Sequence, residues 1–304
     1  MSTCLLEQKN PHPRDLNITF EPIAHKYTIK PSVYAITYND VPYISVTTWL
    51  HSHFAQFDAD AIISGMMASS KWPLSQYYGK TREQIKMEWE TSRDEAARAG
   101  TELHYMIEMY YNGGAVPTGP RPPYDNMVCD GNACDGMNEH SLCQHTGVWG
   151  KIPHFMNYVK GHAAHFVPYR TEWMVYDEKV RIAGSIDMVY LDPAGTDSCT
   201  DNNSVMIYDW KRTKEIKKTT GFNKYSTTDC INHLPDTNFW HYALQLNIYK
   251  AILERNYNKK VTSMMLVCLH PNNKNGDYLL FKVPDLQAEI HDLFELRLQQ
   301  ISFM

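Results

Sequence analysis

The chain has 304 residues, with 43% hydrophobic and 21% charged, which is the balance of a folded α/β domain with an insertion, or of two domains, and excludes a disordered polypeptide. Lys+Arg number 29 against 34 Asp+Glu, and the net charge of −5 excludes nucleic-acid binding through overall charge, leaving only a local basic surface for it. The opening Met1-Ser2-Thr3-Cys4-Leu5-Leu6-Glu7 lacks a signal peptide's basic flank and apolar run, no window approaches a membrane-spanning length, and 7 scattered cysteines do not form a disulfide framework; a soluble, intracellular, cytoplasmic protein without a membrane partner is expected.

Residues 18–50 alternate like a hairpin: Ile18-Thr19-Phe20, then His25-Lys26-Tyr27-Thr28-Ile29, a turn near Asn39-Asp40, and a third run over 41–47. Apolar residues then recur at helical spacing over 48–67 and 81–111, with a break at Trp72-Pro73. In the second stretch Ser92 and Glu95 offer a capping box for the start of a helix that ends at Asn112-Gly113-Gly114. Residues 113–150, rich in Gly, Pro, Asn and Cys, read as a loop or inserted lobe. Three β-rich runs, 167–176, 180–191 and 204–213, form an antiparallel meander, followed by a helix over 238–256, strands over 261–269 and 278–283, and a last helix from 285. This order predicts an α/β (α+β) fold, a mixed sheet flanked by helices. A β-hairpin and helical part at 1–112 and a core at 151–304 form one compact unit.

The chemistry centres on Asp209-Trp210-Lys211 at the end of one apolar run and Gly184-Ser185-Ile186-Asp187 within another. Side chains alternate along a strand, so Asp209 and Lys211 share a face and Trp210 points away. Paired strands would bring in Asp187; two carboxylates hold a hard divalent cation, and the ammonium orients or deprotonates the attacking water. Asp187 is either a turn or edge residue or, within its apolar run, a carboxylate that needs a cation or hydrogen-bond partner. On the predicted helix, His104 can ligate a metal with Glu108, one turn on, orienting it, or pack as an ordinary helical histidine. Glu172, one run earlier, is either a further acidic ligand or an exposed strand residue. His241, Gln245 and Tyr249 share a helical stripe that supports the carboxylates or phosphate, or forms a polar seam. The run Lys211, Arg212, Lys214, Lys217, Lys218 and Lys224 is either a nucleic-acid surface or a solvated loop.

Gly100-Thr101-x-x-His104, Gly184-x-x-Asp187, Asp209-x-Lys211 and Gln245-x-x-x-Tyr249 occur in the order of the motifs of RecB-type nucleases in the PD-(D/E)XK superfamily, and the chain resembles them over roughly residues 20–283. The stretch with His25-Lys26-Tyr27 and Ser45-Val46-Thr47-Thr48 resembles the start of RecB-like exonucleases of phages and large DNA viruses. The resemblance implies a restriction-endonuclease-like core in which Asp187 and Asp209 bind Mg²⁺ or Mn²⁺, with His104 and the Trp210 carbonyl as further ligands. Lys211 would position the attacking water, and Gln245 and Tyr249 would support the site or touch DNA. It further implies a single- or double-stranded DNA substrate with a free end, 5′-phosphate products, and a role in viral or phage DNA replication, recombination or repair.

An exonuclease must also recognise an end, for which Ser45, Thr47, Arg93 and Arg98 are candidate phosphate contacts, unless they serve as caps and surface ion pairs. The insert could form a lid whose Tyr124 and Trp149 stack on bases. Asp209 stands where many members of the superfamily carry Glu, although Asp is usual in the RecB branch. The four-cysteine iron–sulfur pattern of some RecB relatives is absent, because Cys129, Cys134 and Cys143 lie in the insert and only Cys230 and Cys268 follow Lys211. The three insert cysteines are free thiols or, with His140 or His145, a zinc site of unusual spacing. The competing readings are a metal-dependent endonuclease acting on RNA or DNA, and a non-catalytic nucleic-acid-binding protein on the same fold.

Overall fold

A computed structural model describes residues 5–22, 24–30, 41–113, 152–192, 194, 203–221 and 224–302. The turn near Asn39-Asp40 and all of the expected insert beyond Gly113, with Tyr124, Trp149, Cys129, Cys134, Cys143, His140 and His145, lie outside the described residues.

The N-terminal part runs α1 (Leu6–Lys9), a hairpin of β1 (Ile18–Glu21) and β2 (Lys26–Ile29), β3 (Ile44–Ser45), α2 (Val46–His51), α3 (Ala59–Ala68) and the long α4 (Arg82–Tyr111). After the insert come α5 (Pro153–Gly161), β4 (Val167–Asp177), β5 (Ile182–Leu191), β6 (Ser204–Lys211), α6 (Asn238–Asn256), β7 (Lys260–Cys268), β8 (Leu279–Lys282) and α7 (Gln287–Ser302).

A six-stranded sheet joins β3 to β8. The antiparallel meander β4-β5-β6 forms as its alternation predicts, β7 adds parallel to β6, and β8 closes antiparallel on β7. The order is that of a mixed sheet with helices on both faces.

Each face carries its own apolar layer. Val205 and Ile207 of β6 pack with α6, α2 and α7, whereas Tyr208 and Trp210 pack with Leu103, Met106 and Ile107 of α4 and Phe155 and Tyr158 of α5. From Ala243 to Leu253 every residue of α6 is buried, because the helix has the sheet on one side and α2 and α7 on the other. Among the described residues no helix is long and apolar enough to cross a membrane.

Several expectations are corrected. The helix bearing His104 starts at Arg82, not at Ser92: Thr81 Oγ1 accepts the Gln84 N–H while Gln84 returns a bond to the Thr81 N–H. This cap follows Gly79, whose φ of +85° makes the preceding turn. No breaker separates it from Ser92, which therefore lies inside the helix. The stretch 48–67 divides into α2 and α3, because Asp58 caps a new start by accepting the Ala61 N–H. The third run of the hairpin does not pair with β2. Only Ile44 and Ser45 are extended, and they pair parallel with Ile182 and Ala183 of β5.

Candidate metal centre

The meander comes apart at the predicted chemistry. β5 and β6 pair from Leu191–Val205 to Met188–Tyr208, and their registered pairing ends there. Beyond that point β6 remains paired with β7 as far as Lys211–Cys268, and β5 pairs β3 only at Ile182 and Ala183. Residues 184–187 of β5 therefore face a gap between β3 and β6. The Asp187 carboxylate enters it, and its Oδ2 accepts the Trp210 N–H at 2.8 Å, replacing a ladder bond.

The strand geometry is irregular at the same level. Ile182 and Ile186 join the α6-side core while Met188 and Tyr190 join the α4-side core, so the alternation of β5 shifts by one residue at Asp187. Across from it on β4, between the registered pairs Thr171–Met188 and Trp173–Ile186, Glu172 has a φ of +44°. A left-handed backbone at a residue other than Gly costs on the order of 1 kcal/mol or more. Here it accompanies a carboxylate placed on the centre.

His104, from α4, completes the group. Its Nε2 lies 3.1 Å from the Trp210 carbonyl oxygen, and its Nδ1 is 3.3 Å from Glu172 Oε1 and 3.7 Å from Asp187 Oδ2. Glu172 is held in turn by the Ser185 hydroxyl, which donates to Oε2 at 3.1 Å. One ligand atom from each of His104, Glu172 and Asp187 lies within 4.8 Å of the others.

Asp209 is adjacent but engaged differently. Lys211 Nζ sits 2.7 Å from Asp209 Oδ2, and over the Tyr242 ring at 4.6 Å from its centre. The ammonium is the partner of this buried oxygen, which meets no other donor among the described residues.

The charges are strongly interdependent. Burial works against the His104 imidazolium, but Asp187 and Glu172 outweigh it and raise its pKa to about 9. Burial lifts the Asp187 carboxyl against the pull of His104 and raises Asp209 to about 6 against the pull of Lys211. Lys211 is itself raised, since Asp209 and Asp187 override its burial, and it stays an ammonium rather than a base. Buried acids that resist ionisation despite two cationic neighbours leave room for further positive charge.

The α6 stripe divides. Gln245 Nε2 donates to the Tyr249 hydroxyl at 3.4 Å, and both side chains are buried beside β5. A Cβ on Gly184 would stand 2.8 Å from Tyr249 Cε1 and hydroxyl oxygen, so the glycine lets this ring reach the gap. His241 instead pairs with Asp236 at 2.9 Å and lies against Phe54, the two rings tilted at 46°.

The remaining candidates lie elsewhere. Glu108 does not orient His104, whose ring nitrogens face Glu172 and the Trp210 carbonyl. Ser45 caps α2 by accepting the Thr48 N–H, with Thr47 Oγ1 3.2 Å from its hydroxyl. Arg93 pairs with Asp94 on an exposed stretch of α4, where Arg98 is also exposed. Lys214 is exposed past the end of β6, Lys217 pairs with Glu215 at 3.5 Å, and Lys218 lies over the Phe239 ring. Cys230 and Cys268 are free thiols.

Two neighbours were given no role by sequence reasoning. Tyr242 shares the α6 face with Tyr249 and had a legible helical spacing; Tyr27 of β2, whose hydroxyl pKa is raised by burial and then by Glu172 and Asp187, stood in the quoted His25-Lys26-Tyr27 stretch without being assigned to the site.

No curated protein sequence matches the chain. The sequence profile of the PD-(D/E)XK nuclease superfamily matches residues 74–302, a span that includes His104, Glu172, Asp187, Asp209, Lys211, Gln245 and Tyr249. With a central mixed sheet between helices and a His, carboxylate and Lys centre where β5 and β6 part, the chain belongs to the PD-(D/E)XK nuclease superfamily.

Proposed function

We propose that the protein is a metal-dependent DNA exonuclease of the RecB branch, which leaves 5′-phosphate products and serves viral or phage DNA replication, recombination or repair. The observation that carries the hydrolytic reading is the convergence of His104, Glu172 and Asp187 within 4.8 Å, beside the Lys211–Asp209 ion pair. The branch and the preference for DNA ends rest on the order of the motifs around His104, Asp187, Asp209–Lys211 and Gln245–Tyr249.

The donors fit a divalent cation: one imidazole nitrogen, carboxylate oxygens from Glu172 and Asp187, and the Trp210 carbonyl at 3.1 Å from His104, with the Asp209 carboxylate, engaged by Lys211 at 2.7 Å, beside them. A bound Mg²⁺ or Mn²⁺ would supply Lewis-acid stabilisation of the phosphate and ease the deprotonation of water. To hold the cation His104 would be neutral, its proton released to solvent. The Trp210 N–H fixes Asp187, Glu172 sets the His104 ring, and Asp209 holds the Lys211 ammonium. That ammonium stabilises negative charge growing on the phosphate oxygens and orients the attacking water.

The test is digestion of linear DNA labelled separately at its 5′ and 3′ ends, of a closed circle and of RNA, with Mg²⁺, Mn²⁺ or chelator. Release from one labelled end, an intact circle and full inhibition by chelator are expected. Cutting of the circle would replace the exonuclease by an endonuclease, cleavage of RNA alone would replace the substrate, and retention of DNA without any cleavage would leave a binding protein.

A further inference from the structure

Next to the centre is a cavity of about 270 Å³ enclosed by α4, α5 and the ends of β6 and β7. Its apolar floor includes Leu103, Met106, Phe155 and Leu269, and its polar groups are Arg212, His154 and Glu102. Arg212 directly follows Lys211, and strand alternation sends it to the opposite face, the Trp210 side, where α5 lies. It is half-buried and makes no hydrogen bond or ion pair among the described residues. Burying part of a guanidinium without an anion is unfavourable, so the position calls for one.

Two further observations point the same way. The first turn of α5 lines the cavity with no side-chain cap and no acidic residue, and the His154 and Phe155 N–H groups have no partner among the described residues. His154 lies at this turn with Nε2 donating to the Pro271 carbonyl at 3.5 Å, so its buried Nδ1, 3.8 Å from Asp277, is an acceptor in the neutral ring and adds no donor to the cavity. Lys214 and His270 also lie close: burial, then Arg212, Lys214 and His154, lowers the His270 pKa. Against these cations and donors the cavity sets one lining carboxylate, Glu102.

We propose that this cavity is a phosphodiester subsite that seats the phosphate neighbouring the scissile one, with Arg212 as its principal cation and the N–H groups of the first turn of α5 as its donors. The inference rests on the nuclease reading and says where the substrate strand leaves the metal centre: over the α5 face, past the end of β6. Its volume suits one backbone unit and falls short of the roughly 300 Å³ or more of a small-molecule site. Lys211 and Arg212 thus act on successive phosphates from opposite faces of one strand.

The experiment compares wild type, Arg212→Gln, Arg212→Lys and Pro153→Glu in binding a labelled DNA oligonucleotide by fluorescence anisotropy across a salt series in chelator, followed by steady-state cleavage with Mn²⁺. Arg212→Gln is expected to bind about tenfold more weakly, with a salt slope smaller by about 0.7–0.9, the value for one lost phosphate contact. Its loss in cleavage should appear mainly in KM, and Arg212→Lys should recover most of the slope. Pro153→Glu puts a carboxylate where it suits the helix dipole but repels phosphate, so weaker binding at an undiminished melting temperature supports the subsite free of any folding defect. Affinity, slope and KM unchanged in both Arg212→Gln and Pro153→Glu, with wild type cleaving, would overturn the subsite and leave the nuclease reading intact. A wild type that neither binds nor cleaves nucleic acid overturns that reading and the subsite with it.

Discussion

The two ends of β5 solve opposite problems. From Met188 to Leu191 the strand is paired on both sides, by β4 and β6, with Met188, Val189 and Tyr190 buried and Leu191 partly buried. From Gly184 to Asp187 the β6 side is open, and the side chains there include an acid and a serine that meet Glu172, His104 and the Trp210 N–H. Backbone groups satisfied within the sheet leave the paired end free to be dry. At the open end the freed Trp210 N–H needs an acceptor, and Asp187 needs a donor, so each removes the other's desolvation cost. A sheet that comes apart at one level thereby supports buried carboxylates without unfolding around them.

The largest contrast comes from substituting one residue at each end. Asp187→Asn still accepts the Trp210 N–H but loses its charge; metal-dependent cleavage should fall on the order of 10³-fold or more with the melting temperature kept or raised. Ile207→Ala, fully buried opposite Val189 at the paired end, should cost about 2–5 kcal/mol in denaturant unfolding while folded molecules still cleave. Cleavage retained in Asp187→Asn, or lost in folded Ile207→Ala, would erase the distinction between the ends.

Gly184→Ala tests the join between them. The new methyl group meets the buried Tyr249 ring and stands 3.0 Å from Val46 Cγ2. Overpacking of this kind costs about 1–3 kcal/mol. A weaker fold, with the Gln245–Tyr249 contact displaced in a crystal structure, is expected; an unshifted Tyr249 would mean that the close approach is not what requires glycine.

The same contrast explains what could be read in advance. β6 alternates between the two apolar layers along its paired length, and α6 occupies the predicted 238–256, because a helix buried on nearly every side has a long apolar run. Asp209 and Lys211 on one face follow from alternation alone. The open end follows no period. Glu172 reaches the centre through a left-handed φ that its residue type does not announce, and β3 is too short at two residues for a pattern. α5 was missed because it buries only Phe155 and Tyr158 within nine residues, so Arg212 had no visible partner surface. Ser92 failed as a helix start because Thr81 and Gln84, a turn's length after Gly79, satisfy the end of the helix sooner.

Glu108 supplies the smallest effect and the finest control, since it is an acid near the centre that the open end does not serve. It lies one turn beyond His104 on α4, half-buried, and burial, then Glu172 and Glu7, raises its pKa to about 8 from an ordinary 4.5. The unfolded chain releases this proton near pH 4.5 while the folded chain holds it to about 8, so unfolding releases a proton between these values. This group's contribution to stability is therefore fully present below about pH 4.5, declines as the pH rises through about 8, and is flat above that. Glu108→Gln removes the decline: thermal unfolding in chelator should show equal stability at pH 4 and an advantage for the variant on the order of 1–2 kcal/mol at pH 9, after allowance for solvent screening. His104 titrates in both proteins, so the difference between the curves isolates the acid. Parallel curves would place Glu108 with the partnered carboxylates of the open end, and the contrast between served and unserved acids would be lost.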